Sequence, residues 1–245
     1  MLKIENVSFS YPRKQVLSNV NFEVCDHDIF AVLGRNAAGK TTLISVLVGL
    51  LQKQEGHIFV DDEEILGTGS SRYFGVMRNL TDLYLKMTAY EYLSLVGTLY
   101  NVPDDELHER IMGFAKRFEF EEHLYKKLKA CSLGTKKKVS FSACIIHNPR
   151  FVILDEPFDS IDPIVCYEMK QYLSEYARTE GTVIVTSHAL DLIQNFCTKY
   201  VIIHEGTVAA AGNIQENDQH LEQIFIDVVG VAEDVEDEEE DEDED

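Results

Sequence analysis

The chain has 245 residues, 45% of them hydrophobic, and 22 Lys and Arg stand against 43 Asp and Glu for a net charge of −21. Twelve of those acids crowd the last thirteen residues, EDVEDEEEDEDED, and the remainder is still acidic, which argues against phosphate-backbone binding, so no nucleic-acid partner is expected. No apolar run reaches the ~18 residues that a bilayer span needs, the opening MLKIENVSFSY alternates like a strand and not a signal peptide, and five scattered cysteines suit a soluble, reduced, cytoplasmic protein.

In chain order, LKIENVSFSY and VLSNVNFEV alternate as strands do, and IFAVLG is a continuous apolar run of the buried-strand kind. TTLISVLVGLL follows as an apolar helix and GHIFVDDEEI as a further strand and turn. From about residue 80 to 145 helix-favouring runs take over, AYEYLSLVGTLY and DDELHERIMGFAKRF, with Pro103-Asp104 marking a helix start. FVILDEP, TVIVTSH and KYVIIHEGTV are three β-rich runs with helical stretches between them. The alternation predicts an α/β fold, a largely parallel sheet covered by helices, with the helical block as an inserted subdomain. Residues 1–231 are read as one domain and 232–245 as an acidic tail of self-repelling, disordered type. A solubilising role for that tail and electrostatic docking on a basic surface both stay open.

GRNAAGKTT fits G-x-x-x-x-G-K-[ST] through Gly34, Gly39, Lys40 and Thr41, in the required place between a buried strand and a helix. Small residues let successive backbone N–H groups close around a phosphate, and the helix N-terminus adds partial positive charge. Gly34, Asn36, Ala37, Ala38, Gly39, Lys40, Thr41 and Thr42 are therefore the expected nucleotide-binding residues. Lys40 supplies charge to the β- and γ-phosphates of ATP, and the Thr41 hydroxyl is a Mg²⁺ ligand. FVILDEP ends a buried strand in Asp155 and Glu156, where ligands bind in open α/β sheets. Asp155 is read as holding the Mg²⁺ shell and Glu156 as orienting a water in line with the γ-phosphate.

Taken together and in this order, these motifs resemble the nucleotide-binding subunit of an ATP-binding cassette (ABC) transporter over roughly residues 2–215. The resemblance implies a P-loop NTPase with an ABC-type, RecA-like core, an N-terminal antiparallel β subdomain and an inserted helical subdomain. Tyr11 matches the family's adenine-stacking aromatic and His188, ending TVIVTSH, its γ-phosphate histidine. DSID, residues 159–162, matches the loop that meets the opposite subunit. CSLGT occupies the slot of the family's Leu-Ser-Gly-Gly-Gln signature, so Ser132, Leu133 and Gly134 would face ATP bound to the other subunit. Leu133 departs from a signature glycine, Cys131 from a leucine, and Ala37 stands where a phosphate-loop glycine is common. Asn79 is the best fit to the family's metal-contacting glutamine. Lys136, Lys137 and Lys138 are read as a solvated first turn of the signature helix, with nearby phosphate as the alternative.

The resemblance further implies an ATPase that pairs with a second cassette subunit, same or different, and powers a separate integral membrane subunit. It would sit on the inner face of the cell membrane, and it looks more like exporter-type cassettes for peptides, antibiotics or lipids. The alternatives are a soluble non-transport cassette ATPase and a dimerising module with weak hydrolysis.

Overall fold

Asn6 breaks the strand alternation of the first segment, and the break is structural. In the computed structural model, which describes residues 1–65, 67–78, 83–159, 161–214 and 220–230, strand β1 (Leu2–Tyr11) buries Leu2 and Ile4, then Val7 and Phe9. The parity changes across Asn6, which takes a left-handed φ of 52° as the register shifts. That is a β-bulge, the extra residue that lets a strand twist while keeping its apolar side inward. β1 pairs with β2 (Lys14–Val24) and β4 (Glu55–Val60), and β5 (Glu63–Glu64) closes a four-stranded antiparallel sheet in the order β2-β1-β4-β5.

The second sheet has six strands in the order β10-β9-β3-β8-β7-β6. β3 (Ile29–Leu33), β6 (Phe74–Met77), β7 (Phe151–Asp155), β8 (Thr182–Ser187) and β9 (Lys199–His204) run parallel, and β10 (Thr207–Asn213) is antiparallel at the edge. Every residue of β3 is buried, as a strand covered on both faces requires. Phe30 and Val32 join the core under the antiparallel sheet, and Ile29, Ala31 and Leu33 join the core under the helices. The expected α/β architecture, with its parallel sheet and separate antiparallel sheet, is present.

Two details differ from the sequence reading. KYVIIHEGTV is two strands, because Glu205 (φ 46°) and Gly206 (φ 77°) both turn left-handed and form a tight hairpin. β6 was not anticipated, since a four-residue, largely buried strand is too short to show alternation.

The helices are α1 (Lys40–Leu47), α2 (Ala89–Leu99), α3 (Asp104–Arg117), α4 (Leu133–Ile145), α5 (Pro163–Thr179), α6 (Leu190–Gln194) and α7 (Leu221–Val229). Local signals set their starts. Thr88 and Glu91 form a reciprocal capping box on α2. Asp104, Asp105 and Glu106 fill the first turn of α3, with Lys116 and Arg117 in its last, both favourable to the helix dipole. Asn79 and the acidic stretch 232–245 lie outside the described residues.

Helix α4 buries nine of its thirteen residues, Lys137 among them. The reading of the three lysines as a solvated turn therefore fails for Lys137, which is 8% exposed. Lys138 is largely covered as well, and its ammonium stands 3.9 Å from Glu168.

Just past α4, His147 stacks on Tyr100 with ring centroids 3.6 Å apart, and its Nε2 is 3.3 Å from the Phe74 carbonyl. Its Nδ1 is buried with no hydrogen-bond partner among the described residues. Burial pushes the imidazole pKa down from 6.5 to about 4. The unfolded chain thus takes up a proton below pH 6.5 that the folded chain refuses until about pH 4, so stability falls as pH drops across that window. At 1.36 kcal/mol per pKa unit, and discounted for partial exposure, the loss is ~2 kcal/mol. His147→Phe keeps a stacking ring and removes the proton site. Thermal melts at pH 7 and pH 4.5 are expected to show a smaller drop for that variant than for the parent. Equal drops would contradict the assignment.

Candidate functional site

The loop from Gly34 to Gly39 leaves β3 and opens α1, and two left-handed residues bend it, Ala37 (φ 62°) and Gly39 (φ 109°). A Cβ on Gly39 would stand 3.0 Å from the Leu17 side chain and 3.1 Å from the Val16 carbonyl, so the loop is pressed against β2. Ala37 pays a left-handed penalty of ~1–2 kcal/mol, which is the physical reason a glycine is common in that slot.

Lys40 begins α1 buried, and its ammonium donates to the carbonyls of Gly34 (2.7 Å) and Arg35 (3.2 Å). The same ammonium lies 3.4 Å from Glu156 Oε1. Thr41 Oγ1 donates to Asp155 Oδ2 at 3.0 Å. The other carboxylate oxygen of Asp155 accepts from Thr186 Oγ1 at 2.5 Å, and that hydroxyl accepts from the Glu156 N–H at 3.0 Å. Thr186 therefore locks both acids in place. Glu156 itself holds a left-handed φ of 48°, a conformation that costs a non-glycine residue and is kept where the surroundings enforce it.

Glu156 Oε2 faces His188 Nδ1 at 3.2 Å. The two stand at ion-pair distance without hydrogen-bond alignment, and that oxygen is buried with no hydrogen-bond partner among the described residues. The carboxylate is thus held between an ammonium and an imidazole. Asp159 joins them, since one ligand atom from each of Glu156, Asp159 and His188 lies within 4.8 Å of the others.

These groups converge from the ends of β3, β7 and β8 and the start of α1, at the C-terminal edge of the parallel sheet. Lys40, Thr41 and Glu156 among them border a cleft of about 400 Å³ lined also by Tyr11, Lys14 and Arg35, with Asn36, Ala37, Ala38, Gly39 and Thr42 in its wall. Tyr11 is 45% exposed and rests edge-on against Phe9, with ring centroids 5.0 Å apart. The hydroxyl and carboxylate oxygens of Thr41 and Asp155, adjacent and hard, fit a Mg²⁺ ion.

Ser132, Leu133 and Gly134 are not part of this cleft. Ser132 caps α4, accepting from the Thr135 N–H at 3.1 Å, with its hydroxyl 2.9 Å from Thr135 Oγ1. Leu133 is 50% exposed, and a Cβ on Gly134 would meet nothing within 4 Å. The helix start therefore presents an unobstructed surface. In DSID, Asp162 caps α5 by accepting from the Ile164 N–H at 2.8 Å, and Ser160 lies outside the described residues. The sequence reading missed Thr186, and it assigned Asp159 to the subunit-contact loop and Lys137 to a solvated turn without placing either beside Glu156. Thr186 had a signal: it is a polar residue inside an apolar strand, two positions before His188.

A phosphate loop on a strand–helix junction, with two carboxylates at the end of β7, a parallel strand separated from β3 by β8, defines a P-loop ATPase of the cassette class. The profile of the ABC transporter family matches residues 17–159. The chain is 30% identical over 236 residues to the uncharacterized ABC transporter ATP-binding protein YxlF of Bacillus subtilis, covering 96% of this chain and 78% of that one. It is 27% identical over 225 residues to the lantibiotic transport ATP-binding protein SrtF of Streptococcus pyogenes, covering 92% and 96%. Its fold superposes on the solved structure of an ATP-binding subunit of an ABC transporter with a TM-score of 0.86 at 25% identity, covering 93% and 99%. The chain belongs to the ABC transporter family, as one of its ATP-binding, ATP-hydrolysing subunits.

Proposed function

We propose that this chain hydrolyses ATP to drive a separate integral membrane subunit of an exporter. The observation that carries the reading is the convergence of Lys40, Thr41, Asp155, Glu156 and His188 in one contact cluster from three elements, α1, β7 and β8. Tyr11 stacks on adenine, and the N–H groups of the loop through Gly39 and Thr42 cradle the phosphates. Lys40 neutralises the β- and γ-phosphates. Thr41 and Asp155 are the oxygens that would hold Mg²⁺, which when bound spreads phosphate charge. Glu156 takes the proton of the attacking water, and His188 steadies the γ-phosphate from the opposite side of that carboxylate. Asn79, proposed as a further metal contact, lies outside the described residues.

A second cassette subunit, identical or different, completes each site by presenting Ser132 and Gly134 to the γ-phosphate. The open space over Gly134 supports this, and the half-exposed Leu133 side chain sets how closely that approach is made. The export direction rests on the resemblance of the sequence to exporter-type cassettes, and one relative is named for lantibiotic transport. No helix among the described residues is long and apolar enough to cross a membrane, and the reading places the chain on the inner face of the cell membrane through its membrane partner.

Cell fractionation tests this reading. The protein is expected to sediment with membranes and to move to the supernatant when the integral partner is deleted. A distribution indifferent to every candidate membrane partner would sink it.

A further inference from the structure

Lys137 is a buried cation that the proposed chemistry does not use. It sits on α4, five residues after Ser132, 8% exposed, and no carboxylate stands at ion-pair distance from it among the described residues. Its ammonium donates to the backbone carbonyl of Asp159. Burial lowers its pKa, with Asp159 and Cys166 acting in the opposite sense. Burying an ammonium costs several kcal/mol unless it is compensated, so an apolar residue would serve packing better at this position. The contact it makes is specific in place: it joins the helix that carries Ser132 to the segment that carries Glu156.

We infer that Lys137 is a positioning residue, a tether from the signature helix to the Glu156–Asp159 segment of the same chain. Asp159 follows Glu156 by three residues, and its carboxylate shares the cluster with Glu156 and His188. Glu156 is held in a left-handed conformation, so its carboxylate direction depends on how the following residues are anchored. Thr186 anchors the segment at the Glu156 N–H, and Lys137 anchors it at the Asp159 carbonyl. Between those two points the chain has little freedom. The N-terminus of α4, proposed to bear on the partner subunit's nucleotide, is one and a half turns from the Lys137 anchor. Displacement of the helix there is passed along α4, nine of whose thirteen residues are buried, to the carboxylate serving this chain's own nucleotide. The tether thus makes the two half-sites answer to each other.

The inference rests on Glu156 as the hydrolytic carboxylate, and the test separates the two. In the full chain, Lys137→Met keeps the length and removes the donor, whereas Lys137→Gln keeps a neutral donor. Hydrogen exchange of the peptide covering residues 156–162 is expected to quicken ~5–10-fold in the Met variant, with α4 unchanged. Turnover is expected to fall ~10-fold with ATP affinity within ~2-fold, the pattern of a misplaced catalytic group and not a lost binding one. Lys137→Gln is expected to recover most of both. Parental exchange at 156–162 in the Met variant would overturn the tether. So would a loss of turnover, ATP affinity and thermal midpoint together in both variants, which marks a packing residue only. If exchange responds to Lys137→Met but Glu156→Gln leaves turnover intact, the tether stands and the assignment of Glu156 fails.

Discussion

Lys40→Met is expected to weaken ATP binding about 100-fold while leaving the fold in place. The ammonium is buried and already aimed, since its donors converge on the carbonyls of Gly34 and Arg35 at the mouth of the phosphate loop. Hydrogen bonds to charged groups contribute ~1.5–3 kcal/mol each, and 1.4 kcal/mol is tenfold in affinity, so loss of its phosphate contacts amounts to roughly two orders of magnitude. Methionine retains most of the buried stem. Glu156 loses one cation but keeps His188 at 3.2 Å and remains partly solvated, so the stability cost stays near ~1 kcal/mol. Titration with a fluorescent ATP analogue, alongside a thermal melt, measures both quantities. Affinity within threefold of the parent would mean that the phosphates do not reach this ammonium.

The parts of the fold that were legible in the sequence are those where burial leaves a period. β3, β7 and β8 read as apolar runs because helices or a second sheet cover both of their faces. β1 and β2 read as alternations because one face is wet, even though Asn6 shifts the parity. β6 was hidden because four residues are too few to show a pattern. α1 stops at Leu47, four residues short of its apolar run, because Val48 already leaves helical dihedrals (φ −88°, ψ 5°).

The candidate site divides the same way. Lys40, Thr41, Asp155, Glu156 and His188 were legible because each stands at a strand end or helix start that the pattern itself marks. Thr186 was not, because its role exists only where β7 and β8 lie side by side and its hydroxyl spans Asp155 and Glu156. Lys137 reads as a surface lysine in any window of sequence. Only the packing of α4 against the segment after Glu156 turns it inward, and no local propensity encodes that.

Glu156→Gln is expected to cut turnover by at least ~100-fold, since a positioned general base contributes ~10²–10⁴ to rate. ATP affinity should stay within ~3-fold, because the groups proposed to hold phosphate and metal are Lys40, Thr41 and Asp155, none of which the substitution removes. The replacement is isosteric, glutamine meets the same backbone demand at φ 48°, and the N–H bond to Thr186 is untouched, so folding is not the cause of the loss. What changes is the acceptor. One carboxylate oxygen lies 3.4 Å from Lys40 and the other 3.2 Å from His188, and an amide offers a water only one weakly basic oxygen in that position. A chain that binds ATP but does not break it should also hold its partner subunit longer, so sedimentation with ATP is expected to show more dimer for the variant than for the parent. Normal turnover would remove Glu156 from the chemistry. Low turnover without the ATP-dependent dimer would keep Glu156 and reject the second subunit, which turns on Ser132 and Gly134 reaching a nucleotide that their own chain does not bind.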